Sequence, residues 1–181
     1  MSITLDGTNG ITTPDIASTT STLGALTQAL DLGSTGQIVF PATQNASSNA
    51  NTLDDYEEGT WTPTMYFGTT LATASTASGR YVKVGGIVTV TGQYALSSKN
   101  GGTGYCQLRN FPFPGIYGDQ GDRGGAAVGY FTGFGSQYPF LMLGVGDTTA
   151  SFRKASSTDF DNTEVADGSS VWFSYSYATS S

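Results

Sequence analysis

The chain has no histidine, and a single cysteine, Cys106, in 181 residues. Without histidine, neither a Ser-His-Asp nor a Cys-His arrangement can form. A thiol at Cys106 lacks its usual base, so buried packing is its expected role, and one cysteine cannot close an intrachain disulfide. Cations are scarce as well: 7 Lys and Arg face 14 Asp and Glu, a formal net charge of -7. A duplex-binding surface needs clustered Lys and Arg to neutralise phosphates, and docking on anionic lipid needs the same. Neither nucleic acid nor a membrane is therefore an expected partner. No apolar run approaches the roughly 20 residues that span a bilayer. The start, Met1-Ser-Ile-Thr-Leu-Asp6, lacks the basic-then-apolar pattern of a signal peptide. No P-loop or dinucleotide fingerprint occurs, because the glycines are scattered and not set at a strand-to-helix turn. No cofactor is expected.

Charged residues make up only 12% of the chain, against about 25% in ordinary soluble domains. Glycine (25 residues), Ser, Thr, Ala and Asn take their place. That mixture makes poor helices and serves turns and strand edges. Ten Tyr, ten Phe and two Trp supply large apolar areas, and aromatic rings favour pleated sheet. Composition points to an all-β protein.

The chain divides near residue 53. Met1 to Leu53 holds no Lys, Arg, Tyr or Trp, one Phe (Phe40), and only Asp6, Asp15 and Asp31 as charges. So few bulky side chains cannot close a core of their own. Asp6-Gly7 and Asn9-Gly10, flanked by Ile3, Leu5 and Ile11, predict a small hairpin. A short helix is expected over Thr20 to Leu30, capped by Thr20 or Ser21 and stopped at Gly33, with Leu23, Leu26 and Leu30 on one face. Such a helix is marginal alone, so three copies sharing the leucine stripe would form a trimerisation element. The competing arrangement packs the helix on its own head domain. Gln37 to Pro41 reads as a short strand, and Ala42 to Asn51 as a linker. The expected organisation is an extended attachment and trimerisation segment, 1–53, followed by a β-sandwich head, 54–181.

From Trp61 onward the pattern is that of strands. Arg80 to Val84 and Ile87 to Thr91 flank Gly85-Gly86, a strong hairpin signal. Gly125 to Thr132 and Tyr138 to Val145 are further strand candidates. Ser170 to Thr179 alternates, with Val171, Phe173, Tyr175 and Tyr177 on one face and Trp172 on the other. Short strands punctuated by glycine predict an antiparallel sandwich, jelly-roll-like, and the absence of βαβ alternation excludes a parallel fold.

Leu53-Asp-Asp-Tyr-Glu-Glu-Gly-Thr-Trp-Thr-Pro63 resembles a signature of tail-fibre and related virion proteins of tailed bacteriophages. Thr4-Leu-Asp-Gly-Thr-Asn-Gly-Ile-Thr-Thr-Pro14 resembles the start of such proteins, as does Gly36-Gln-Ile-Val-Phe-Pro-Ala-Thr-Gln44 before the linker. Gly79-Arg-Tyr-Val-Lys-Val-Gly85 fits the hairpin after the Thr-Trp-Thr-Pro element. Asn110-Phe-Pro-Phe113 resembles their Leu-Pro-Phe step, and Val171-Trp-Phe-Ser-Tyr-Ser-Tyr177 their last strand. The resemblance covers most of the chain in order. It implies a virion component, commonly a homotrimer, attached through its N-terminal part to other virion proteins. No long shaft separates anchor from head.

Three groups of residues are candidates for chemistry or recognition. Asp54, Asp55, Glu57 and Glu58 are the densest acidic run. A glycosidase would use two such carboxylates as acid and nucleophile. Catalytic carboxylates usually project from separate rigid strands, so a solvated acidic lead-in anchored by Tyr56 and Trp61 is the stronger reading. Asp119 and Asp122, in the Gly-rich loop 118–125, are too few for a calcium cage and fit an exposed receptor-contact loop; no metal is expected. Tyr117, Phe134, Tyr138 and Trp172 are candidate receptor-binding aromatics, whose ring faces suit the C–H surface of a sugar; each could equally be core. The sequence thus leads to a non-enzymatic virion protein, a short tail fibre whose head contacts a host-surface polysaccharide or protein. The alternative is a purely structural piece: a head decoration, neck fibre or fibre adaptor.

Overall fold

The computed structural model describes residues 36, 38, 40, 52–53, 55–116, 125–144, 146–156 and 158–180. The small hairpin, the leucine-striped helix with Leu23, Leu26 and Leu30, and the linker all lie outside the described residues. Among the described residues there are ten strands: β1 Tyr56–Trp61, β2 Thr64–Phe67, β3 Thr70–Leu71, β4 Thr73–Val84, β5 Ile87–Ser98, β6 Cys106–Arg109, β7 Gly125–Phe134, β8 Phe140–Leu143, β9 Ala150–Arg153 and β10 Val165–Ala178. Among the described residues there is no helix. Ile38 and Phe40 lie in no strand, unlike the expectation for 37–41. Phe40 instead sets its ring 5.8 Å from that of Tyr56.

The Gly85-Gly86 turn sets the register of the central hairpin. Val84 pairs with Ile87, and the ladder runs outward through Gly79–Gly92 to Thr73–Ser98. Only Gly85 takes a positive φ, 55°, as a two-residue turn with glycine at its first central position requires. Gly86 is fixed differently: its carbonyl accepts the Thr179 N–H at 2.8 Å, tying the end of β10 to the turn. This hairpin sits in one antiparallel sheet, ordered β1-β4-β5-β10-β7 (sheet A). A second five-stranded sheet, β3-β2-β6-β9-β8 (sheet B), pairs antiparallel throughout.

The two sheets share one core, which makes the molecule a β-sandwich. Val88, Val90 and Tyr94 on β5 and Val171, Phe173, Tyr175 and Tyr177 on β10 face inward from sheet A. Met65, Phe67, Leu108, Leu141, Leu143 and Phe152 meet them from sheet B. The alternation expected for the last strand is present: Trp172 is exposed while both its neighbours are buried. Burying polar rings requires partners for their hydroxyls. Tyr175 Oη accepts the Leu143 N–H at 3.1 Å, and Tyr177 Oη donates to the Phe113 carbonyl at 3.0 Å.

Two inner-face glycines make room for the aromatic core. Trp61, Gly79, Gly92 and Phe173 lie in one cross-strand row. A Cβ on Gly79 would fall 2.2 Å from Trp61 Nε1, and one on Gly92 would fall 2.8 Å from the Phe173 ring. The indole thus leans across β4, with its N–H directed at the Thr91 carbonyl 3.4 Å away. The Trp61 ring also lies 5.0 Å from that of Phe111, tilted by 37°, so the Thr-Trp-Thr-Pro element and the Asn-Phe-Pro-Phe step meet inside the sandwich.

Candidate functional site

The outer face of sheet A is built from the residues between the buried ones. Ser78, Gln93, Trp172 and Tyr130 form one cross-strand row. Arg80, Thr91 and Ser174 form the next outward-facing row, with Thr60 opposite Arg80. Small hydroxyl side chains alternate there with long ones, so the face is not flat. A depression of about 590 Å³ opens on it, lined by Thr60, Ser78, Arg80, Thr91, Gln93 and Trp172 over the backbone of Gly79 and Gly92. A shallower cleft of about 280 Å³ continues along β1 and β4 past Glu58, Thr60, Arg80 and Val82.

Trp172 forms the aromatic wall of the depression, beside the polar groups of Ser78, Arg80, Thr91 and Gln93, and Tyr130 backs it from outside. Trp172 is 54% exposed and Tyr130 46%, and their ring centres are 5.1 Å apart. Gln93 Nε2 donates to Ser78 Oγ at 3.1 Å. Arg80 is exposed beside them. Such a surface suits a ligand that presents both a flat apolar face and several hydrogen-bonding groups.

The other sequence candidates fall in different places. Phe134 is not a receptor contact: it is 1% exposed, packed 5.2 Å from Phe152 and 5.5 Å from Phe160. It ends β7 on its inward side, two residues beyond the strand expected over Gly125 to Thr132. Tyr138 is exposed, but its ring lies 4.6 Å from Phe131 and its hydroxyl donates to the Val128 carbonyl at 3.1 Å. It stands apart from the depression. Tyr117, Asp119 and Asp122 lie outside the described residues, as does Asp54.

The acidic run is divided by strand alternation. Asp55 is buried and ion-paired with buried Lys83, contrary to a wholly solvated lead-in. Lys83 stands opposite Glu57 on β4, so the inward-pointing pair plugs the end of the core beside Phe113. Trp61 is the expected core anchor, whereas Tyr56 is exposed. Glu57 accepts the Tyr81 hydroxyl at 2.5 Å and Glu58 the Tyr56 hydroxyl at 2.8 Å. Consecutive strand residues project to opposite faces, so these two carboxylates do not converge on one bond. The hydrogen bond to Glu57 pushes the Tyr81 phenol up to about 12, and the bond to Glu58 raises Tyr56. Burial pushes the Cys106 thiol up, keeping it in the unreactive protonated form. Among the described residues no group of three His, Cys, Asp or Glu is placed to hold a metal.

Arg80, Ser78, Gln93, Thr91 and Tyr130 were not singled out by sequence. For the four on β4 and β5 the signal lies in the hairpin register, because counting outward from Gly85-Gly86 pairs Ser78 with Gln93 and Arg80 with Thr91; Tyr130 joins them only through β10.

No protein-family model and no curated protein matches the chain. Among solved structures, the chain is similar to part of the Dettilon tailspike protein, with a TM-score of 0.53 and 15% sequence identity. The match covers 68% of this chain and 23% of the tailspike. At that identity the likeness is one of fold, and the chain spans less than a quarter of that protein's length.

Proposed function

We propose that the chain is a structural, non-enzymatic component of a bacteriophage virion, a short tail fibre whose sandwich head contacts the host surface. The observation that carries this reading is the shared fold with a portion of a tailspike. The ordered motifs from Thr4 to Tyr177 support it independently. In this reading residues 1–53 attach to other virion proteins and hold three copies together through Leu23, Leu26 and Leu30. Several heads on one particle would raise a weak single-site affinity through avidity.

A second reading keeps the fold and removes the receptor, making the protein a head decoration, neck fibre or adaptor. One feature favours it: Tyr56, Val82, Val84 and Ile87 are exposed at the turn end of sheet A, an apolar surface suited to a protein neighbour.

Two measurements test the proposal. Light scattering on full-length protein and on protein lacking residues 1–50 should give a trimer and a monomer respectively. A monomeric full-length chain sinks the self-assembled fibre and leaves a subunit ordered by its neighbours. Antibodies against the head should label the tail of intact virions in electron micrographs and block adsorption. Labelling of capsid or neck without effect on adsorption would favour the second reading.

A further inference from the structure

We propose that the depression on the outer face of sheet A binds an acidic saccharide, with Arg80 pairing its carboxylate and Trp172 covering a sugar ring. This rests on the host-contact reading above and gives that contact a ligand class.

Arg80 differs from the other described cations. Lys83, Arg153 and Lys154 are ion-paired with Asp55, Asp159 and Glu164. Lys99 donates to the carbonyls of Asn162 and Val165. Arg109 lies 4.0 Å over the Tyr66 ring and donates to Gln107 and Gly68. Arg80 pairs with no described residue, and it stands exposed in the depression of a chain whose net charge is -7. A planar guanidinium offers a carboxylate two parallel donors.

The rest of the surface selects the class. A protein partner would need an apolar anchor in a well-packed centre, whereas Ser78, Thr91 and Gln93 offer hydroxyls and an amide. Nucleic acid would need many cations where one is present. A sugar fits both chemistries: its C–H face suits the Trp172 ring, and its hydroxyls suit the polar floor. Arg80 and Trp172 stand two strands and one two-residue step apart, roughly 12 Å between Cα atoms from standard sheet spacings. A short oligosaccharide spans that distance, so the charged unit and the stacked unit are different sugars of one chain. Glu58, at the far end of the shallower cleft, disfavours a second carboxylate there.

The test titrates full-length protein with trigalacturonate, sialyllactose and a hyaluronan tetrasaccharide, and with neutral maltotriose, by calorimetry and tryptophan fluorescence. Trp172 is the exposed one of the two tryptophans, so quenching reports on this surface. At least one acidic sugar should bind about tenfold or more tightly than maltotriose, and Arg80→Gln should weaken it about tenfold, the size of one charged hydrogen-bonded contact. The same variant should leave maltotriose binding unchanged, and Trp172→Ala should remove the fluorescence response. Equal affinity for neutral and acidic sugars, indifference to Arg80→Gln, or no binding by any acidic sugar would each overturn the proposal. Adsorption of labelled protein to cells that the virus infects separates the two layers. Adsorption without an acidic-sugar response removes the saccharide site and leaves host contact standing; a sugar response without adsorption supports the site and counts against host contact.

Discussion

Sheets A and B each contribute five strands to one core, but they are held by different means. In sheet A, β4 and β5 run 12 residues each and β10 runs 14. In sheet B no strand exceeds four residues. Long paired strands gather many cross-strand contacts along a fixed register. Four-residue strands gather few, so they depend on what each buries: Met65 and Phe67, Cys106 and Leu108, Leu141 and Leu143, Ala150 and Phe152. Sheet A is a frame set by pairing, and sheet B is a cover held down by its side chains. Among the described residues the outer face of that frame stays open around Ser78, Arg80 and Trp172.

Truncating a cover residue should have the largest effect. Phe152→Ala removes a fully buried ring that touches Phe134 across the sandwich, and should cost about 3–5 kcal/mol in urea unfolding. On the outer face of sheet A, Trp172→Ala should shift stability by no more than about 0.5 kcal/mol. Equal losses at the two sites would break the distinction between frame and cover.

The buried ion pair at the edge of sheet A comes next. Asp55→Ala leaves Lys83 charged and buried, with an expected loss of about 3 kcal/mol or somewhat more. Adding Lys83→Met should recover most of it, since the penalty lies in a buried charge that has lost its carboxylate. If the double variant is no better than the single one, the pair acts through packing alone. A smaller loss, about 1–3 kcal/mol, is expected from Gly79→Ala, whose new methyl meets both the Trp61 indole and the Thr91 carbonyl. Gly85→Ala meets no atom but keeps a positive φ, and should cost about 1 kcal/mol. Near-equal unfolding midpoints for Gly79→Ala and wild type would mean that the indole is free to move.

The contrast between the sheets also explains what the sequence showed. The β4–β5 hairpin and the last strand were legible because turn chemistry and alternation are local. From the turn alone, Gly79 pairs with Gly92 and the outer row of Ser78 and Gln93 is determined. That β10 lies beside β5, bringing Trp172 to that row, is a long-range pairing that no local pattern encodes. In sheet B only β8 is legible, inside the stretch Tyr138 to Val145; Thr64–Phe67 or Ala150–Arg153 is too short for periodicity to separate from a loop. Phe134 is not legible as core because the strand pattern over Gly125 to Thr132 stops short of it, where Gly133 and Gly135 flank the ring. Both glycines have positive φ, bending the chain just where the ring turns inward. Asp55 misled because a charge in an acidic run was expected in water, and its partner Lys83 stands on another strand.

The smallest expected effect belongs to the rim of sheet A, where Tyr81 on β4 donates to Glu57 on β1. That bond raises the Tyr81 phenol from its ordinary 10.0 to about 12. A raised folded-state value means that the unfolded chain releases this proton first as pH climbs. The stability it contributes is therefore fully present below about pH 10 and is lost between there and about pH 12. Tyr81→Phe should cost only about 0.5 kcal/mol at pH 8, because the bond is largely solvent-exposed. Urea midpoints of wild type and variant should then converge as pH rises from 10 toward 12. Tyr177, whose phenol burial also pushes up, titrates alike in both proteins and cancels from the difference. A gap that stays constant across that window would show that the Tyr81 proton is not held by Glu57, and the absence of a gap at any pH would show that Tyr81 supports β1 through its ring against Phe113 alone.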